Sequence, residues 1–466
     1  MEILLLIGAI VALAWGGVIL VRGGLVAGLL LVLLSGVCFG HAFYRLPAGP
    51  LPITSDRVLL LVVIAQYVVY RRWGLTDPKP LSRADVLLGA FFLVLLVSTF
   101  THDFTSQRAL PVSQLAFFYL MPAIVYWIAR QTAWTEPAAQ WLFACLGIFG
   151  IYLALTAVAE THGWGGLVFP SYIHSPAFKE FYGRGRGPLL NPAGNGLLQT
   201  LGLCGALMLW PRVGRRGQLV LLGLIPLFAY GIYSTYTRSA WIGAAGALGV
   251  LVALTTPRGW RMPVIGTALV VSLLVTALSW EQFIAFKRDK ELTAEDAAES
   301  AKLRPILAQV AWSMFLDRPL LGCGFGQYGE QSRPYLSDRT SELPLEKARP
   351  YVQHNVLLAL LTETGLLGMG LYMAVLAYWT RTAWRLWRAD VAPLWVRQTG
   401  LLFIAYLVAY LANGMFQDVS IIPMINMTLF FLAGAVMALT PWLVTSTRRE
   451  RLELWLPEAD AALAAR

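Results

Sequence analysis

The sequence predicts an all-α fold, a polytopic transmembrane helical bundle of about 12–13 spans with a partly helical outer loop. Three observations predict it. Of 466 residues, 57% are hydrophobic and 13% charged, with a mean hydropathy of +0.62. Soluble domains carry about 25% charged residues, so this chain lacks the polar surface to coat a globule of its size. Apolar runs near the roughly 20 residues that cross a bilayer recur along it. The connections between those runs alternate in charge.

The runs fall at 3–21, 25–40, 57–70, 85–100, 113–129, 138–159, 193–210, 218–233, 239–255, 263–279, 355–379, 398–415 and 421–441. Only Arg22-Gly23-Gly24 separates the first two. Met1-Glu2-Ile3 carries neither a basic leader nor a small-residue cleavage site, so the first run reads as an uncleaved span. Lys/Arg-rich connections are Arg71–Arg83, Arg212–Arg216, Arg258–Arg261, Arg381–Arg397 and the tail with Arg448, Arg449 and Arg451, with weak support from Arg130. They occur at every second connection, which places them on the cytoplasmic side. Thr101–Val112, Glu160–Pro192, Ser234–Arg238, Trp280–His354 and Phe416–Ser420 then face outward. The expected organisation is transmembrane helices over 1–279 with an outer loop at 160–192, a large outer loop at 280–354, C-terminal spans over 355–441 and a cytoplasmic tail at 442–466.

The net charge of +10 follows from this topology rather than from a nucleic-acid partner. Between Trp280 and Gln353 the chain has 10 Lys/Arg against 11 Asp/Glu, so the surplus lies in short loops elsewhere. Cys38, Cys145 and Cys204 lie in apolar runs and Cys323 in the long loop. They offer neither a disulfide framework nor a metal spacing.

The loop 160–192 is rich in aromatic residues and glycine and closes with Gly183-Arg184-Gly185-Arg186-Gly187-Pro188, then Asn191-Pro192 at a helix start. Glycine lets a backbone approach a ligand closely, and a helix N-terminus favours negative charge. The segment therefore reads either as a paired-guanidinium anion site or as a turn with snorkelling cations. Ser234-Thr235-Tyr236-Thr237-Arg238-Ser239 is a tight outer hairpin that sets Arg238 at the membrane boundary, where an arginine needs a partner or a task.

In the long loop, Thr293-Ala294-Glu295-Asp296 reads as a capped helix start that runs to Leu303–Arg304. Pro305 then suits the first turn of a new helix. Ile306, Leu307, Val310, Ala311, Met314 and Phe315 share one helical face that must be buried. Gly322-Cys323-Gly324-Phe325-Gly326 is a turn and not a nucleotide loop, because no strand precedes it and no Gly-Lys-Ser/Thr follows. His354 opens the next span, and Glu363 lies two and a half turns along it, as a structural partner or a functional acid.

Arg184/Arg186, Arg238 and His354 thus come from three helix boundaries on one side of the bilayer. Guanidiniums clamp pyrophosphate through charge-assisted, often bidentate hydrogen bonds. An imidazole removes a proton from a hydroxyl near neutral pH. No carboxylate cluster outside would hold a divalent metal, so the arginines would carry that electrostatic role.

At these residues the sequence resembles the O-antigen ligase/polymerase superfamily. The resemblance rests on Arg184–Gly187 with Asn191-Pro192, Thr237-Arg238-Ser239-Ala240-Trp241, Arg318-Pro319-Leu320-Leu321-Gly322-Cys323-Gly324, His354-Asn355-Val356-Leu357, and Glu363-Thr364-Gly365-Leu366-Leu367-Gly368. It implies a multi-spanning glycosyltransferase of the bacterial inner membrane with a periplasmic active site, no cofactor and no metal. The implied donor is an undecaprenyl-pyrophosphate-linked glycan; in the ligases the acceptor is lipid A–core oligosaccharide. His354 would activate the acceptor hydroxyl, and Arg238 with Arg184 or Arg186 would bind the leaving pyrophosphate. The family pattern has one arginine ahead of the glycine where this chain has two, so both are named. An O-antigen polymerase or a protein O-oligosaccharyltransferase would use the same donor. A transporter is disfavoured because no internal repeat occurs and the notable charges lie at one face.

Overall fold

The computed structural model describes residues 2–46, 52–101, 110–175, 177–178, 180–257, 259–264, 266–267, 270, 274, 294–337, 343–349 and 351–443. Among them the chain forms helices and no strand; one isolated antiparallel bridge joins Leu46 and Ile53. The long helices are α1 (Glu2–Cys38), α2 (Ser55–Arg72), α3 (Arg83–Phe100), α6 (Glu136–Thr161), α7 (Pro192–Met208), α8 (Arg215–Tyr233) and α9 (Arg238–Thr255). Between α3 and α6, α4 (Pro111–Leu115) runs through a π-helical turn, Ala116–Leu120, into α5 (Met121–Arg130). The outer loop contributes α10 (Ala294–Asp317). Then follow α11 (Val356–Arg388), α12 (Leu394–Gly414) and α13 (Pro423–Ala438). Nine helical segments among the described residues are long and apolar enough to cross a membrane. This is a multi-pass membrane protein.

The expected runs map onto these helices with two changes of detail. The first two share α1, broken only at Gly24, whose φ of +63° is left-handed. The run 263–279 and the tail 444–466 lie largely or wholly outside the described residues. Of the runs beyond the nine, α2 is diluted by Asp56, Arg57, Gln66, Arg71 and Arg72, and α7 is only 17 residues long.

Helix starts follow local chemistry. Ser82 and Asp85 form a capping box on α3, Thr135 caps α6 ahead of Pro137, and Asn191 caps α7 ahead of Pro192. Arg130 is 2% exposed and pairs with Asp85 at 2.8 Å, while the Tyr126 hydroxyl donates to Asp85 at 2.7 Å. Its task is to tie the end of α5 to the start of α3. α7, α12 and α13 are the most enclosed elements and form the centre of the bundle.

The outer loop differs from the two helices expected there. Pro305 lies inside one helix, α10, and Thr293 lies outside the described residues. A proline inside a helix removes one backbone bond. Against that, Ile306, Leu307, Val310, Ala311 and Met314 are all buried against Cys323, Tyr328, Leu336, Leu345 and Ala348. The loop thus has a core of its own, and Leu358 of α11 packs against it. All four cysteines are free thiols.

Candidate functional site

We call the end of the bundle opposite the Lys/Arg-rich connections the outer end. There the glycine–arginine segment and the 234–238 hairpin interlock. The Gly185 amide donates to the Ser234 carbonyl at 2.8 Å. A Cβ on Gly185 would stand 2.9 Å from that oxygen and 2.8 Å from Ala157 Cβ, so the approach requires glycine. Arg184 reaches across: Nε donates to the Thr235 carbonyl at 3.3 Å, and Nη2 to the Tyr236 carbonyl at 3.2 Å and Thr237 Oγ1 at 2.6 Å. Its guanidinium also lies 5.1 Å over the Phe181 ring. Arg184 therefore fixes the turn that starts α9 at Arg238, the turn in which Tyr236 has a φ of +47°.

Arg186 points inward and is 0% exposed. Its Nε pairs with Glu160 at 2.9 Å, and its terminal nitrogens donate to the carbonyls of Ile173 (2.6 Å), Phe178 (2.6 Å) and Glu180 (2.7 Å). The second Glu160 oxygen accepts from the Gly187 amide at 2.9 Å. Glu160 thus anchors the segment at two adjacent residues. In the sequence Glu160 stands only at a loop boundary, and its one signal is an acid that ends an apolar run before an arginine-rich loop. Removing one partner of a buried ion pair costs about 3–5 kcal/mol. We expect Arg186→Ala to lower the unfolding temperature in detergent markedly and Arg72→Ala, at an exposed position at the end of α2, to leave it near wild type. Equal effects would mean that the buried Glu160–Arg186 pair does not hold the fold.

His354 and Asn355 sit at the start of α11. The Asn355 carboxamide oxygen accepts from the amides of Leu357 (2.9 Å) and Leu358 (3.0 Å), and its Nδ2 donates to the Met415 carbonyl at 3.0 Å. One side chain both caps α11 and pins it to the end of α12. His354 is half-buried, has a φ of +45° and lies 6.1 Å from the Tyr351 ring. A histidine in the left-handed region is uncommon, and strained residues concentrate at functional sites. Phe416 follows Met415, the partner of Asn355, and the Arg304 guanidinium of α10 stacks over its ring at 5.2 Å; the sequence does not single out Arg304.

α9 and α12 bring the two parts to one end. A Cβ on Gly243 of α9 would stand 2.7 Å from Asn413 Nδ2 and 3.1 Å from the Ala409 carbonyl of α12. Arg238 is five residues before Gly243, roughly 7.5 Å along α9, and Met415, bonded to Asn355, follows α12 directly. Arg238 and His354 thus share the outer end, while Arg184 holds the Arg238 turn and Arg186 holds the loop before it.

Glu363 belongs to a second interlock. α11 breaks at Gly365, with φ +64° and ψ −165°. In an unbroken helix the amides of Leu366 and Leu367 would pair with the carbonyls of Thr362 and Glu363. Here those amides donate to the carbonyls of Pro319 (2.8 Å) and Leu320 (3.2 Å), and the two carbonyls accept from the amides of Cys323 (2.9 Å) and Gly324 (3.0 Å). The loop turn inserts into the break and satisfies all four groups. The Glu363 carboxylate accepts from the Gly326 amide at 3.0 Å. Its observed contact is therefore structural. Burial pushes the Cys323 thiol well above its ordinary range. Burial likewise raises the Asp418 carboxyl, opposed by the Ser420 hydroxyl (2.6 Å) and amide (3.1 Å) that donate to it. Among the described residues no three His, Cys, Asp or Glu side chains gather as a metal site would require.

Fold and site together define a multi-pass helical membrane protein with Arg238 and His354 at two helix starts on one end. Residues 222–373, about a third of the chain, match the family model described as Wzy_C: O-Antigen ligase, which supports the O-antigen ligase/polymerase superfamily. The match spans the α9 start, the loop turn, His354 and the broken helix. Members of that family are glycosyltransferase-like enzymes, ligases and polymerases, and the family suggests lipid-linked glycan substrates. No curated protein matches the chain.

Proposed function

We propose that the protein is an O-antigen ligase in the bacterial inner membrane, moving a glycan from undecaprenyl pyrophosphate to a hydroxyl of lipid A–core oligosaccharide on the periplasmic side. One observation carries the reading: the Arg184-held turn starts α9 with Arg238 at the same end of the bundle as the Asn355-pinned His354. An imidazole titrates near pH 6.5 and accepts a hydroxyl proton at neutral pH. As His354 takes that proton, the acceptor oxygen bonds to the anomeric carbon and the bond from that carbon to the pyrophosphate oxygen breaks. The electron pair leaves with the polyprenyl pyrophosphate, and Arg238 meets its charge. A single displacement of this kind inverts the anomeric centre. The mechanism is metal-independent because guanidinium supplies the electrostatic role. Arg184 and Arg186, read from the sequence as direct ligands, enter as positioning residues, since their donors already hold the Arg238 turn and the loop behind it.

The test is a reconstituted assay with a polyprenyl-pyrophosphate glycan, offering lipid A–core, a second donor glycan or a protein acceptor in turn. The expected outcome is label on lipid A–core, unaffected by a chelator. Label only on a second glycan would make the protein a polymerase, and label only on a protein would make it a protein O-oligosaccharyltransferase. Label on none would remove the enzyme reading.

A further inference from the structure

Outer-end arginines run against the charge bias of membrane proteins, so each invites the question of what holds it. Arg184 and Arg186 answer to their own chain. Arg57 and Arg45, at the outer ends of α2 and α1, answer to it far less. Arg57 stacks 3.6 Å over the Phe117 ring and donates through Nη1 to the Pro52 carbonyl. Its Nε is buried with no hydrogen-bond partner among the described residues. Phe117 belongs to the π-helical turn Ala116–Leu120, a geometry often found at functional sites. Stacking fixes the plane of the guanidinium and leaves its edge as the bonding surface.

Arg45 is exposed and is fastened beside this group by the bridge between Leu46 and Ile53, with amide-to-carbonyl distances of 3.0 and 2.9 Å. His41 completes the set. Partial burial, then the charges of Arg45 and Arg57, hold its imidazole below the ordinary range, with Asp56 opposing. Asp56, next to Arg57 in the chain, is the acid that acts on His41 among the described residues; it is 5% exposed, and its Cβ faces the Gly36 position of α1. Among the described residues no ion pair involves Arg45 or Arg57. Phe43, Tyr44, Leu46 and Ile53 around the set are all more than 40% exposed. Exposed aromatic and apolar side chains at the ends of spans mark the headgroup level of a bilayer.

We propose that His41, Arg45 and Arg57 form a phosphate-binding site at the outer ends of α1 and α2, taking the phosphate of a lipid headgroup or a free phosphate. The site is separate from the Arg238–His354 end of α9 and α11 and does not depend on the transferase reading. Arg57 is held flat by an aromatic ring, Arg45 and His41 are close enough to feel its charge, and a phosphate oxygen suits the unpartnered Nε.

The test uses the full chain in neutral detergent, titrated with dihexanoyl-phosphatidylglycerol, with dihexanoyl-phosphatidylcholine, and with inorganic phosphate alone. Wild type is expected to bind the anionic lipid in preference to the zwitterionic one. Arg45→Gln should weaken that binding roughly tenfold, the loss of one charge-assisted bond, and Arg45→Gln with Arg57→Gln should remove it. Because Arg57 also braces Pro52 and Phe117, Arg45→Gln and His41→Gln alone keep the test valid if the double variant misfolds. Arg71→Gln with Arg72→Gln, at the opposite end of α2, should leave the affinity unchanged. Competition by inorganic phosphate would identify a free-phosphate site, and its failure to compete a lipid-headgroup site; both sustain the proposal. Equal affinity in wild type, Arg45→Gln and His41→Gln would overturn it.

Discussion

His354→Ala is expected to abolish glycan transfer, a loss of about 10²–10⁴-fold, in a protein that still folds and inserts. The side chain is half-buried, and the cap on α11 belongs to Asn355, whose bonds to Leu357, Leu358 and Met415 do not involve the imidazole. One complication is the backbone: φ is +45°, and alanine tolerates that region poorly, at roughly 1–2 kcal/mol. Asparagine visits it more readily. His354→Asn therefore separates the two effects, because it keeps the backbone without the base. Both variants should be inactive, with His354→Asn closer to wild type in thermal stability. Full transfer by either would end the case for a catalytic histidine.

Gly365→Ala should be severely damaging for a single added methyl group. A Cβ there would stand 2.4 Å from both the carbonyl carbon and the oxygen of Leu320, and the φ of +64° is costly for any other residue. Neither atom belongs to a flexible side chain, so the two backbones must separate and the four exchanged hydrogen bonds go with them. Losses above about 4 kcal/mol arise from such breaks in buried networks, and we expect the variant to accumulate poorly and to melt early. Gly370→Ala is the control, since its Cβ would meet nothing within 4 Å on the same helix. Gly322→Ala should resemble Gly365→Ala, because its Cβ would lie 2.4 Å from the Glu363 carbonyl carbon. If Gly365→Ala and Gly370→Ala melt alike, the interlock does not hold the loop.

The spans were legible in the sequence because hydrophobic length is a property of consecutive residues, and it is nearly all that a bilayer asks of a helix. Arg238 and His354 were legible because charges at the ends of apolar runs stand out. The partition among the arginines was not. Arg184 and Arg186 are two residues apart and chemically identical, and only the fold turns one toward Thr237 and the other toward Glu160. The tie between Gly322–Gly324 and Thr362–Leu367 was hidden for a different reason. It is made by backbone groups, which every residue carries, so only its glycines left a trace. Pro305 misled because the rule that proline starts helices is local, whereas the burial of Ile306–Met314 that carries α10 through it is tertiary.

The break at Gly365 also reconciles two path lengths. α11 meets α12 at one end with Val356 beside Gly414 and at the other with Ala383 beside Gly400, and the Tyr372 and Tyr410 hydroxyls, 3.3 Å apart, join the two helices on the way. Between those two ends α12 travels 14 residues, roughly 21 Å, whereas α11 travels 27 residues, roughly 40 Å if straight. Two rods of such unequal length cannot share both meeting points. The surplus is accommodated if Val356–Thr364 swings away from the bundle axis at the break and lies across the end of α12 like a hinged beam. His354 heads that beam, so its position over the bundle is set by an angle at a glycine eleven residues away as much as by its own neighbours.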